Sequence, residues 1–100
     1  MSDILLTLLS SPALQERLLD ALLQAEGITF LCSTPAALHG LPADTLSQSE
    51  QVLGHAKATE IRLLMSHSRL PALLDNLQEE FAGASLRYWT TSVLASGELK

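Results

Sequence analysis

The stretch between Gly54 and Ser66 constrains the fold of this chain more than any other. Hydrophobic side chains recur there at every second position, which is the period of a β-strand with one buried face. Glu60 and Arg62 take polar positions, and Leu64 makes that second face apolar near the end of the strand. The positions of the apolar face are Thr59, Ile61, Leu63 and Met65. A strand with this pattern is typically central in its sheet and covered in part on both faces.

The composition indicates one domain with a surface that is poor in charge. One hundred residues are enough for a single hydrophobic core and too few for two. Charged residues make up 17% of the chain, against about 25% in an average protein, and burial of surface between copies of the chain would explain this shortage. The net charge of −5 excludes nucleic acid as a partner, because phosphate backbones require a basic patch.

The chain carries no signal that would send it to a membrane or out of the cell. Its single cysteine, Cys32, leaves no internal disulfide, which fits a reducing compartment. The apolar N-terminus has Asp3 where a signal peptide would carry Lys or Arg. No window approaches the roughly 18 continuous apolar residues that a membrane span requires. We therefore expect a cytoplasmic protein without direct membrane insertion.

Over the whole chain, the hydrophobic pattern predicts six elements in the order strand, helix, strand, strand, helix, strand. Pro12 and Pro71 mark the starts of the two helices, where a missing N–H costs no hydrogen bond, and Gly27 and Gly83 mark their ends. The predicted strands are Asp3–Leu9, Ile28–Ser33, Gly54–Ser66 and Leu86–Thr91.

This order, βαββαβ, is that of the ferredoxin-like α+β sandwich. Right-handed connections place both helices on one face of an antiparallel sheet, with the first and third strands central. The helix-free face would then expose Leu64, part of the first strand, and either Tyr88 or Trp89. An apolar sheet face and an unpaired edge are hazards in solution, and association through that face would remove both.

Residues with catalytic chemistry are present but do not form a catalytic pattern. The turn Leu9–Pro12 has neither the Cys-x-x-Cys of a metallochaperone nor the Gly-rich, Arg-bearing cradle of a phosphate-cleaving enzyme. Ser47, Ser49 and Ser92 stand in no nucleophile pattern with His or Asp. We therefore expect a non-enzymatic protein.

Three residues are candidate ligands for a divalent metal: Cys32, His39 and His55. They lack a ligand spacing such as His-x-x-x-His. However, Cys32 and His39 flank the start of the loop between the second and third strands and His55 its end, so folding of the loop could bring them together. The alternative is a buried, inert Cys32 in an edge strand, with histidines that face solvent.

The loop between the second and third strands is the strongest functional feature. The second strand is expected to stop at Thr34-Pro35, and Thr34–Leu53 shows no clear period. Irregular connections of this length are uncommon in compact domains and tend to be functional or disordered. We expect this loop to bind a ligand or a partner.

The residues of this loop resemble those of short bacterial PII-like proteins, uncharacterised relatives of the PII signal transducers and of CutA. The resemblance extends over the whole chain, through the start Asp3–Leu9, the Pro12 helix and Tyr88-Trp89. The loop residues that carry it are His39, Gly40, Leu46, Ser47, Glu50, Gln51, Val52 and Gly54. All of these except Val52 are also the expected ligand- or partner-binding residues.

The resemblance implies a single PII-like domain over residues 1–100 that forms a homotrimer, with residues 34–54 in the position of the T-loop. In the nitrogen regulatory PII proteins this loop contacts a target protein. Genes of the short PII-like proteins often lie beside heavy-metal efflux systems, so the resemblance implies signal transduction toward a protein target, with an efflux component as the candidate. A CutA-like metal binder using Cys32, His39 and His55 is the alternative.

The resemblance also bears on whether this chain binds an adenine nucleotide. In PII proteins adenine nucleotides bind in clefts between subunits, helped by a Gly- and Lys-bearing turn before the fourth strand. The corresponding turn here, Phe81–Ser85, contains Gly83 but no lysine. The missing lysine counts against an adenine nucleotide, ATP or ADP, as a cofactor of this chain.

Overall fold

The computed structural model describes residues 3–40, 48 and 55–100, and in this part of the chain two helices pack on one face of a four-stranded sheet. Short 3-10 turns at Pro12–Leu14 and His67–Arg69 lead into the helices. The elements in chain order are β1 (Asp3–Ser10), α1 (Gln15–Gln24), β2 (Ile28–Leu38), β3 (Ala56–Ser66), α2 (Leu70–Glu80) and β4 (Arg87–Val93).

The sheet has the strand order β2-β3-β1-β4, and all neighbouring strands are antiparallel. β1 and β3 are therefore central and β2 and β4 lie at the edges, which confirms the predicted ferredoxin-like α+β arrangement. Within the described residues every helix is too short or too polar to cross a bilayer.

The hydrophobic core lies between the helices and one face of the sheet. Ile61 and Leu63 of β3 are fully buried, whereas Arg62 between them is exposed, so the predicted alternation of β3 is confirmed. The other strand and helix positions that build this core are Ile4, Leu6, Leu8, Leu18, Leu22, Met65, Leu73, Leu77 and Phe81.

Strand β2 is longer than the sequence pattern indicates. We expected it to stop at Thr34-Pro35, but it continues through Pro35 to Leu38, so the prediction that the loop begins at Thr34 is wrong. Pro35 is tolerated because β2 is an edge strand, and an edge strand has one side that forms no ladder hydrogen bonds. The segment that connects β2 to β3 is therefore residues 39–55.

Gly27 ends the turn after α1 in a conformation that other residues avoid. Its φ is +83°, and a Cβ added there would lie 3.2 Å from Cγ of Arg69. Nη1 of Arg69 in turn donates a hydrogen bond to Oε2 of Glu26, and the two atoms are 2.8 Å apart. The turn after α1 and the turn before α2 are thus linked beside a position whose backbone conformation favours glycine.

Replacing Gly27 by alanine should destabilise the fold. We expect Gly27→Ala to lower the free energy of unfolding by about 1–2 kcal/mol, because a left-handed backbone is strained by a Cβ. Urea denaturation followed by circular dichroism measures this. Gly97→Ala is the matched control, since Gly97 has no such φ and open space around it. If Gly27→Ala and Gly97→Ala had the same free energy of unfolding, the left-handed backbone conformation assigned to Gly27 would be contradicted.

Candidate functional site

Strands β2 and β3 extend beyond the rest of the sheet. The end of β1 is at Ser10, which pairs with Thr59. Beyond this point β2 and β3 continue through three more residue pairs, from Ala36–Ala58 to Leu38–Ala56. We refer to residues 36–38 and 56–58 as the β2–β3 arm. It holds His39 and His55, the two ends of the connecting segment 39–55, outside the four-stranded part of the sheet.

Two histidines face each other at the end of the β2–β3 arm. His39 follows the last residue of β2, and His55 precedes the first residue of β3. Their ring centroids are 5.3 Å apart, with 45° between the ring planes. His39 is exposed and His55 is half-buried, so the pair is reachable from solvent.

A first groove lies at the base of the β2–β3 arm and has a volume of about 430 Å³. Lys57 contributes the cationic group of this arm groove. Oγ1 of Thr59 donates a hydrogen bond to Oε1 of Gln15 at 3.0 Å, which fixes both side chains on its wall. The lining residues are Pro12, Gln15, Ser33, Thr34, Pro35, Ala36, Lys57, Ala58 and Thr59. Most of the lining surface is apolar, and the hydroxyl, amide and ammonium groups on it could contact the polar or anionic part of a ligand.

A second groove, of about 420 Å³, lies beside the turn between α2 and β4. Gly83, at φ +82°, and Ser85, at φ 56°, give this turn its shape. The lining residues of this turn groove are Leu8, Leu74, Asp75, Leu77, Gln78, Phe81, Gly83, Ser85, Leu86 and Tyr88. Its leucine and aromatic wall with a few polar groups suits a flat, partly apolar ligand.

The helix-free face of the sheet carries apolar side chains that are partly exposed within one chain. Trp89 pairs with Thr7 on this face and is 47% exposed. Tyr88, which pairs with Leu8, is also exposed but lies on the helix side, so the aromatic residue of the helix-free face is Trp89. Leu5 and Leu64 pair on the same face, next to an ion pair in which Nε of Arg62 lies 3.4 Å from Oε1 of Glu60.

The predicted binding residues of the connecting segment are only partly described. His39 and Gly40 lie at the end of the β2–β3 arm. The others lie outside the described residues and stay predictions: Leu46, Ser47, Glu50, Gln51 and Gly54.

Only two of the three candidate metal ligands are neighbours in one chain. Cys32 pairs with Arg62, seven positions before His39 in the same extended strand, which places it about 23 Å from the histidines. It is also exposed, and the alternative of a buried Cys32 is therefore wrong. Among the described residues no three His, Cys, Asp or Glu side chains lie close enough to hold a metal ion together.

Sequence reasoning found only part of the two grooves. The family resemblance pointed to the turn Phe81–Ser85, which forms one wall of the turn groove. The arm groove gave no local signal, because residues near the start of α1 and residues of two later strands build it.

Comparisons with known proteins identify the family. The model of the DUF3240 family, described as a protein of unknown function, matches residues 1–100. Among curated proteins no sequence matches the chain. A crystal structure of a DUF3240 family protein from Shewanella baltica OS155 is similar, with a TM-score of 0.83 and 16% identity over 100% of this chain and 99% of that chain.

Two further solved structures have the same fold. The nitrogen regulatory PII-like protein CPII from Thiomonas intermedia K12 has a TM-score of 0.73 and 15% identity, over 99% of this chain and 98% of that chain. CutA from Synechococcus elongatus PCC7942 has a TM-score of 0.71 and 18% identity, over 95% of this chain and 80% of that chain. The expected resemblance to PII-like proteins is confirmed, and the chain is a member of the DUF3240 family with the α+β fold of PII-like proteins.

Proposed function

We propose that this protein is a non-enzymatic, PII-like regulatory protein of the cytoplasm that acts on a partner protein through residues 39–55. The observation that carries the proposal is the β2–β3 arm, which holds both ends of this segment beyond the sheet. Structures with the same fold include a putative PII-like signalling protein from Thermus thermophilus and CPII, and these names support a regulatory role. The family resemblance supports a heavy-metal efflux component as the partner.

The working form is a homotrimer in which the helix-free face is buried. Trp89, Leu5 and Leu64 give this face the apolar surface that a stable interface needs. β2 and β4 lie at opposite edges of the sheet. A head-to-tail contact would place the β4 side of one copy against the β2 side of the next, and three such contacts close a ring.

An adenine nucleotide is the proposed small-molecule signal. The CPII structure is described as bound to ADP, AMP and bicarbonate. In a head-to-tail ring the turn groove of one copy, near β4, would meet the arm groove of the next, near β2. The apolar wall of the turn groove suits an adenine ring, and Lys57 in the arm groove supplies a cation for phosphate in place of a lysine in the turn Phe81–Ser85.

The trimer makes Trp89 an interface residue. We expect the wild-type protein to sediment at three times the chain mass of 10.8 kDa. Trp89→Glu should weaken association by about 2 kcal/mol or more, roughly 30-fold in the dissociation constant, because it places a charge in an apolar interface.

Leu23→Glu is the matched control for Trp89→Glu. Leu23 is also an exposed apolar residue, with 69% of its surface accessible, but it lies on α1, outside the helix-free face. Its replacement should leave the mass unchanged. A wild-type protein that sediments as a monomer at micromolar concentration would refute the trimer.

Lys57 should contribute to nucleotide affinity. We expect ADP to bind in isothermal titration calorimetry and Lys57→Ala to weaken it about tenfold or more, because a hydrogen bond to a charged group contributes about 1.5–3 kcal/mol. Lys100→Ala, at the exposed chain end, is the control and should bind ADP like the wild type. If Lys57→Ala and Lys100→Ala bound ADP with equal affinity, the arm groove would not be part of the nucleotide site.

Binding of ADP should protect the connecting segment, residues 39–55, from proteolysis. Glu50 is the only glutamate between residues 39 and 55, whereas Glu98 lies in the exposed tail. We expect ADP at about ten times its Kd to slow cleavage after Glu50 by a Glu-specific protease roughly tenfold, because ligand binding lowers the population of open forms.

Cleavage after Glu98 is the internal standard for this experiment and should proceed at the same rate with and without ADP. Glu50→Gln confirms the assignment by removing the first cut. Unchanged cleavage after Glu50 at saturating ADP would count against a segment that reports the nucleotide.

A further inference from the structure

The contact between His39 and His55 is not used by the function proposed above. His39 directly follows and His55 directly precedes the last residues of the pair Leu38–Ala56, so the end of the antiparallel ladder places the two residues side by side. Neither ring is deeply buried. The two imidazoles therefore meet at the solvent-accessible end of a paired scaffold.

We propose that His39 and His55 form a binding site for one divalent transition-metal ion. Imidazole nitrogen is a preferred ligand of Zn²⁺, Ni²⁺ and Cu²⁺. A zinc–nitrogen bond of about 2.1 Å puts the metal about 3.2 Å from the ring centre, so two rings at a tetrahedral angle have centres about 5.2 Å apart. The observed separation is 5.3 Å. The two rings already stand at the spacing that a shared metal ion requires.

The ligand set predicts a weak and exchangeable site. Structural zinc sites use four protein ligands, whereas open sites keep positions for water. Among the described residues no third His, Cys, Asp or Glu joins the pair. Water would complete the coordination, and the order of affinity should be Cu²⁺ above Ni²⁺ and Zn²⁺.

A metal ion held by both rings would join β2 to β3 at the last pair of the arm. The ladder of the β2–β3 arm has only three residue pairs beyond the end of β1, and short two-stranded ribbons are marginally stable alone. Cross-linking their ends therefore stabilises the arm. This site depends neither on the trimer nor on a nucleotide.

The competing explanation is a simple ring contact. Aromatic rings pack with centroids about 4.5–7 Å apart without any metal, and the observed distance fits that range as well. The two explanations differ in metal affinity, which a titration measures directly.

The test uses the untagged full-length protein, because a polyhistidine tag would bind the probe. Calorimetric titration with Ni²⁺, Zn²⁺ and Cu²⁺ should show one ion per chain. His39→Ala and His55→Ala should each weaken binding by at least about tenfold, since even partners of metal ligands contribute 10–100-fold. His67→Ala and Cys32→Ser should bind like the wild type, because both residues lie outside the pair.

Electron paramagnetic resonance of the Cu²⁺ complex gives a second readout. The wild type should show coupling to two imidazole nitrogens, and each single histidine variant should lose one. Wild-type affinity in His39→Ala and His55→Ala, or loss of binding in Cys32→Ser, would overturn the site. Light scattering and ADP titration of the same variants should be unchanged, so failure here is distinguishable from failure of the proposed function.

Discussion

The structure depends on the placement of β3 at the centre of the sheet with a different environment on each face. Ile61 and Leu63 are fully buried beneath the helices, and each such side chain contributes about 1.5–3 kcal/mol to the hydrophobic stabilisation. If the pairing with β1 slipped by one residue, Glu60 and Arg62 would point into the core, and Ile61 and Leu63 would point to the opposite face of the sheet. The register between β1 and β3 is therefore fixed by the core, and every other strand position follows from it.

The same strand accounts for the functional geometry, because β3 is longer than its central neighbour. β3 has eleven residues and β1 eight. The surplus at the beginning of β3 pairs only with β2, and this surplus is the β2–β3 arm. One end of the arm is rooted in the buried sheet, and the other carries His39 and His55. A connection positioned by a rigid scaffold in this way is a common location for binding sites.

The sequence predicted what lies within single elements and missed what depends on pairing between them. The alternation of β3, the proline starts of the helices and the glycine after α1 are local patterns, and the structure contains all of them. The element order predicted that β2 lies at an edge of the sheet. The passage of β2 through Pro35 and the exposure of Cys32 depend further on how far β2 stays paired with β3, and no local pattern encodes that. The contact between His39 and His55 could be predicted only from the register of β2 and β3, because the two residues are sixteen positions apart in the sequence.

In the proposed trimer, ligand binding would be coupled to assembly. The arm groove and the turn groove lie near opposite edges of the sheet, and only the contact between copies would join them into one cleft. A nucleotide bound across such a cleft binds the assembled form and not the isolated chain, so it stabilises the assembly by mass action. Lys57, at the start of β3, would then contact the ligand from the strand that also supports the connecting segment. The physical route from ligand to partner would be the arm, a few residues of paired backbone.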